Sequence, residues 1–344
     1  MIAACLTAIF ISFMVTLCAA RLMVRAGVND IPVARSNHKR STPTAGGVGV
    51  LCGIAAGFLS LSFFGLAAGH FPNLPAVLSL CFFIAFLGLY DDLYSPPTAL
   101  KFGIFVGTAI LLIYVLDPVK TLLIWDMTIT LPVFIATLGT ILWIFVAMNS
   151  VNFMDGANGL MPGCMVIAFA GLAGLALKMQ AYETFWMCVV AAAGWLGFLP
   201  LNFRRNALIF AGDIGALLAG FMYAAAIMLL INETSSASAA YLGVLILLPF
   251  LTDVLLTLLW RLRQKRDLSK PHKDHLYQRA ISSGLSHTQI SLIYYGAFLI
   301  CAALAFMASN VNPALVSTIF VSSVIGLSAL YFIGGKFWRF NMAS

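Results

Sequence analysis

Apolar runs of sixteen to twenty-one residues succeed one another along the whole chain, separated by more polar stretches. An α-helix needs ~20 apolar residues to cross a bilayer. A membrane β-barrel would instead alternate apolar and polar positions over segments of ~10 residues. The pattern predicts eleven spans, over 2–20, 46–66, 75–90, 101–117, 131–148, 159–177, 183–200, 214–232, 240–260, 290–308 and 314–333. The predicted fold is all-α, a polytopic integral membrane protein. No internal repeat or low-complexity linker divides the chain, so 1–344 reads as a single domain.

The connections test this count. When they are assigned alternately to two faces, 17 of the 19 Lys and Arg residues fall on one face, and only Lys120 and Lys178 fall on the other. Basic loops stay cytoplasmic, which puts the N-terminus outside and the C-terminus inside. The net charge of +7 is thereby accounted for without nucleic acid. Composition agrees: the chain is 62% hydrophobic and 9% charged, against ~25% charged in soluble domains. The seven cysteines all lie in apolar runs without a CxxC, so they read as small hydrophobic residues. The first run lacks a basic leader, so no cleaved signal peptide is expected.

The acids cluster on the basic face. Asp91 and Asp92 follow the third run in FLGLYDDLYSPP. A helix C-terminus already carries about −0.5 of an elementary charge, so two carboxylates there call for a cation nearby: Lys101, a loop arginine or a divalent metal. Neighbouring helical side chains diverge by ~100°, which predicts different tasks for the two. In NSVNFMDGANGL, Asn149, Asn152 and Asp155 recur every three residues and would form a polar stripe if the helix continues through them; an Asn/Gly turn is the alternative. Asp213 in AGDIG is either the N-cap of the eighth span or a magnesium ligand, since Mg2+ combines a few carboxylates with phosphate oxygens. In PHKDHLYQR, His272 and His275 stand among Lys270, Lys273 and Arg279, a set suited to a polyanionic phosphate ligand. Asp253 lies inside a span, where hydrogen bonding within the bundle is its expected role.

YDDLYSPP, NSVNFMDGANGL, GDIG and PHKDHLYQR occur in this order, all on the basic face, between about residues 35 and 280. In this the chain resembles the polyprenyl-phosphate N-acetylhexosamine-1-phosphate transferase family. The resemblance implies transfer of a sugar 1-phosphate from a cytosolic UDP-N-acetylhexosamine to undecaprenyl phosphate, with release of UMP and dependence on Mg2+, for which Mn2+ can substitute. It implies that Asp213, with Asp91 and Asp92, holds the metal, and that Asp91, Asp92, Asp155, His272 and His275 are catalytic. Lys39, Asn149, Asn152, Asn158 and Arg279 are implied to bind substrate. Membrane lipid surrounds such a protein, and a homodimer is compatible with the sequence.

The family includes the phospho-N-acetylmuramoyl-pentapeptide transferase of peptidoglycan synthesis, but the present chain departs from that enzyme. It has HKDH where that enzyme has three successive histidines, GDIGA in place of GD followed by a GS-containing stretch, and no proline in the loop before Asp213. The PHxxHxYQR form is more like initiators of O-antigen and other surface polysaccharides. A secondary transporter, from a different class, would carry its ionisable groups near the bilayer midplane, whereas here the acids stand at the ends of spans and only Asp253 is embedded.

Overall fold

The computed structural model describes residues 2–27, 29–30, 42–65, 71–94, 96–268 and 272–338. Twelve α-helices are present among them: α1 (Ile2–Ala26), α2 (Gly46–Leu61), α3 (Leu74–Tyr94), α4 (Thr98–Leu116), α5 (Val133–Phe153), α6 (Leu160–Lys178), α7 (Tyr182–Asn202), α8 (Gly212–Thr234), α9 (Ala237–Arg263), α10 (Leu276–Ser282), α11 (His287–Ala308) and α12 (Pro313–Phe337). All but the short α10 are long and apolar enough to cross a membrane, α2 with the help of a 3-10 turn that carries it to Phe64. The chain is a multi-pass α-helical membrane protein, and the eleven predicted spans match these helices.

Helix α8 is the axis of the bundle. Its run from Ile214 to Leu230 is buried on every side, against α2, α3, α5, α7 and α9. A helix that is apolar all round belongs in a core, and in lipid small residues let neighbouring backbones approach closely. Here they are Gly215, Ala216, Ala219, Gly220 and Ala224–Ala226. By contrast α1, α4 and α12 leave large apolar side chains such as Phe10, Tyr114 and Ile325 exposed, as lipid-facing helices do.

Two helices overrun the spans predicted for them in ways that shape the site. α3 continues through Tyr94, so Asp91 and Asp92 lie in its last turn, and α5 continues through Phe153, carrying Asn149 and Asn152. The connection expected after span 9 contains α10, and that after span 4 folds as an antiparallel hairpin, β3 (Thr121–Ile124) with β4 (Met127–Thr130). The hydroxyl of Tyr241 on α9 donates to the Leu123 carbonyl and accepts from its amide, fixing the hairpin to the bundle. A second two-residue pairing joins β1 (Asn29–Asp30) to β2 (Thr42–Pro43).

Loops join the helices in antiparallel succession, so their ends gather at two faces. The face opposite the acids is stapled by two glutamates. Glu183 accepts from the amides of Asn73 (2.9 Å) and Leu74 (2.6 Å), which open α3. Glu233 accepts from the amides of Glu183 (2.8 Å) and Thr184 (2.9 Å), which open α7, and from the Thr184 hydroxyl. Each carboxylate satisfies helix-terminal N–H groups that have no partner within their own helix. Glu233→Gln weakens one such cap, worth ~1 kcal/mol. It should lower the melting temperature in detergent and leave activity per folded molecule unchanged.

Candidate active site

The acids converge at the other face because two helices approach α8 at glycines. At Gly88 of α3, an added Cβ would lie 2.5 Å from Ile214 Cα and 2.6 Å from the Asp213 carbonyl oxygen. At Gly220 of α8, it would lie 2.6 Å from Met148 Cα of α5. Only hydrogen fits at either crossing. The first brings the end of α3 beside the start of α8, and the second brings the end of α5 there too.

The two adjacent aspartates divide their work, as their angular separation predicts. Asp91 takes the ammonium of Lys101 on both carboxylate oxygens, at 3.0 and 2.9 Å; this is the positive partner that the helix end calls for. Asp92 accepts from the backbone amides of Asp213 (3.0 Å) and Ile214 (3.2 Å). It therefore caps α8 from another helix, and the N-cap role considered for Asp213 belongs to Asp92. Asp213 stands in the first turn of α8, beside Asp91 and Asp92, with its Oδ1 accepting from the Asn152 amide at 3.3 Å.

Asp155 follows in the turn after α5. Burial pushes its carboxyl well above the ordinary aspartate range, and the negative charges of Asp213 and Asp92 push it further. The four acids thus form one field rather than scattered loop residues.

The predicted asparagines separate. Asn152 joins the acids, whereas Asn149 donates back to the Phe145 carbonyl of its own helix at 2.8 Å. Asn158 braces the turn: its side chain donates to the carbonyls of Arg204 and Arg205. Its backbone amide donates to His287 Nδ1, and its carbonyl accepts from Ser291. Arg279 is likewise bonded to carbonyls. Its guanidinium is engaged by the carbonyls of Gly335 (2.6 Å) and Trp338 (3.3 Å) at the end of α12, where a cation meets the negative end of a helix. Lys39 lies outside the described residues.

The histidines flank the Asp155 turn. The rings of His272 and His275 are 5.0 Å apart, and His275 stacks on Phe153 at 5.7 Å. Burial lowers the His272 pKa to about 4, with the positive surroundings of His275 and Arg261 adding to the effect, so this imidazole is neutral near pH 7. Tyr277, unassigned from the sequence although within PHKDHLYQR, donates its buried hydroxyl to the Phe153 carbonyl at 3.0 Å. Arg261 pairs with Asp274 and also holds the Asp267 carbonyl. His287, Ser291 and Tyr295 on α11 complete the frame, and their role was hidden because their partners lie more than 125 residues away in the chain.

A hard divalent cation fits this donor set. Asp92, Asp155 and Asp213 offer carboxylate oxygens whose mutual repulsion such an ion would relieve. Among the described residues, no three acidic, His or Cys side chains form a finished metal cage. Of the expected ligands, Asp91 also pairs with Lys101, Asp92 also accepts from amides and Asp213 also accepts from Asn152. Mg2+ does not need a full protein cage, since it keeps waters and takes phosphate oxygens.

An acidic field at one end of a bundle of eleven apolar helices defines a membrane-embedded protein with its polar chemistry at the bilayer surface. Residues 74–231 match the model of glycosyl transferase family 4. Over 322 residues the chain is 31% identical to the decaprenyl-phosphate N-acetylglucosaminephosphotransferase of Mycobacterium leprae, covering 84% of this chain and 79% of the relative. It is 29% identical to a probable undecaprenyl-phosphate N-acetylglucosaminyl 1-phosphate transferase of Bacillus subtilis, over 80% of this chain and 75% of the relative. It is 27% identical to the phospho-N-acetylmuramoyl-pentapeptide-transferase of Enterococcus faecalis, over 77% and 84%. The chain belongs to glycosyl transferase family 4, the family expected from its motifs.

Proposed function

We propose that the protein transfers N-acetylhexosamine 1-phosphate from a UDP-sugar to undecaprenyl phosphate at the cytoplasmic face of the bacterial inner membrane, initiating O-antigen or another surface polysaccharide. The observation that carries this reading is the gathering of Asp91, Asp92, Asp155 and Asp213 at the ends of α3, α5 and α8. One substrate is anchored in lipid and the other is dissolved in water, so their phosphates meet only at such a surface.

An oxygen of the lipid phosphate attacks the sugar-linked phosphorus of the UDP-sugar. The bond from that phosphorus to the bridging oxygen breaks, and UMP leaves with that oxygen. One phosphoanhydride replaces another, so the exchange is reversible. The lipid phosphate is already largely ionised at neutral pH, so the chain's task is positioning and charge control. Asp213, aided by Asp92 and Asp155, would hold Mg2+, which when bound neutralises pyrophosphate charge. Asn152 orients Asp213, Lys101 holds Asp91 in place, and His272 and His275 line the side on which phosphate or sugar approaches.

Labelled UMP should exchange into a UDP-N-acetylhexosamine only when undecaprenyl phosphate and Mg2+ are both present. A panel of UDP-GlcNAc, its 6-deoxy relatives and UDP-N-acetylmuramoyl-pentapeptide names the donor. Product from the pentapeptide donor alone would favour the peptidoglycan reaction, which the E. faecalis relative keeps in view. Uptake into sealed vesicles without any lipid-linked product would overturn both in favour of a transporter. Because the Asp155 carboxyl is raised, it gains its proton at a higher pH than an ordinary aspartate. The Mg2+ concentration for half-maximal exchange should therefore rise as pH falls, beginning well above pH 4, and Asp155→Asn should flatten that dependence.

A further inference from the structure

Asp253 sits in the middle of the loop-to-helix junction that carries the histidines, although it belongs to membrane helix α9 and is only 2% exposed. Its Oδ1 accepts from the Leu276 amide at 2.8 Å and from the Thr257 hydroxyl at 3.2 Å. Its Oδ2 accepts from the Tyr277 amide at 3.2 Å and from the Tyr294 hydroxyl on α11 at 2.6 Å. Nδ1 of His275, itself buried, lies 3.5 Å from Oδ1. One carboxylate thus ties together α9, α10 and α11 and faces the ring of His275.

The far side of that junction touches the acidic field. His275 stacks on Phe153, and Tyr277 bonds the Phe153 carbonyl two residues before Asp155. With Nδ1 turned to Asp253, Nε2 is the nitrogen on the opposite edge of the ring. An ordinary buried cap would need one or two of these contacts; four hydrogen bonds converge here beside the His275 ring, they offset the anion's cost of burial, and the two from the Leu276 and Tyr277 amides bear directly on the position of His275 and Tyr277.

We propose that Asp253 is a positioning residue for the transfer reaction: by seating the first turn of α10 and the His275 ring against the Phe153–Asp155 segment, it sets the catalytic geometry from within the membrane helix. The inference rests on the transferase reading above.

The test compares wild-type protein with Asp253→Asn and Tyr294→Phe in detergent-lipid micelles. Two readouts are used: UMP exchange kinetics and hydrogen–deuterium exchange of residues 275–283. Asp253→Asn should lower kcat by ~100-fold while KM for the UDP-sugar changes less than ~3-fold, and the Leu276 and Tyr277 amides should lose protection. Tyr294→Phe, which removes a single contact, should show a smaller loss in the same two readouts. It stands in for the asparagine variant if that variant fails to fold. Unchanged protection at 275–283, or a fall in active fraction with kcat per active molecule intact, would overturn the proposal. If wild-type protein shows no exchange with any donor, the transferase reading fails on its own. The protection measurement still decides whether Asp253 seats α10.

Discussion

Replacing Asp213 by Asn should reduce Mg2+-dependent UMP exchange by at least ~100-fold, with the protein still inserted and folded. The two sizes differ little, and α8 keeps its cap because that cap comes from Asp92. What is lost is one negative charge in the first turn of α8, beside Asp91 and Asp92. The neutral side chain removes both a hard oxygen ligand and the repulsion that a cation would relieve. Raising Mg2+ should recover little of the rate if the ligand itself is missing. An Asp213→Asn enzyme with wild-type turnover at ordinary Mg2+ would remove Asp213 from the site. A melting temperature close to that of wild type distinguishes lost chemistry from lost fold.

Gly88→Ala should be nearly as damaging, although Gly88 carries no chemistry. The new methyl meets backbone atoms of Asp213 and Ile214 at 2.5–2.6 Å, and backbone cannot swing aside as a flexible side chain can. The crossing of α3 on α8 has to open. Asp91 and Asp92 then move relative to Asp213, and misplacement by about 1 Å costs ~100-fold in rate. The expected result is a loss of that order in kcat with the protein still folded in detergent. The bonds from the Asp213 and Ile214 amides to Asp92 should loosen with it, visible as faster deuterium uptake at the start of α8. Full activity in Gly88→Ala would mean that the α3–α8 spacing does not control the site.

The spans and the face carrying the chemistry were legible in the sequence for a simple physical reason. Burial in lipid demands long apolar runs, and the loop charges set one face of the bundle apart from the other. The need for a cation near Asp91 also followed from charge, whereas the stripe of Asn149, Asn152 and Asp155 is cut short because α5 ends at Phe153. Partners distant in sequence did not follow. Asp213 looks like a local N-cap until Asp92, 121 residues earlier, is seen to occupy that role. That Asn158 and Arg279 also bond the carbonyls of Arg204 and Arg205 and of α12 could not be read from the sequence. Glu183 and Glu233 sit in stretches that read as plain loop edges, and only the juxtaposition of α3, α7 and α8 turns them into staples. A sequence shows what each residue can bond; the choice among partners is made by packing.

The reach of Asp92 to the start of α8 also bears on how the protein is made. The third helix leaves the ribosome well before the eighth, so during translation this carboxylate has no amides to receive it. Activity therefore cannot appear piecemeal as spans are inserted. The insertion machinery has to carry a carboxylate-bearing helix end, still without its mate, until the axis of the bundle arrives and closes the site.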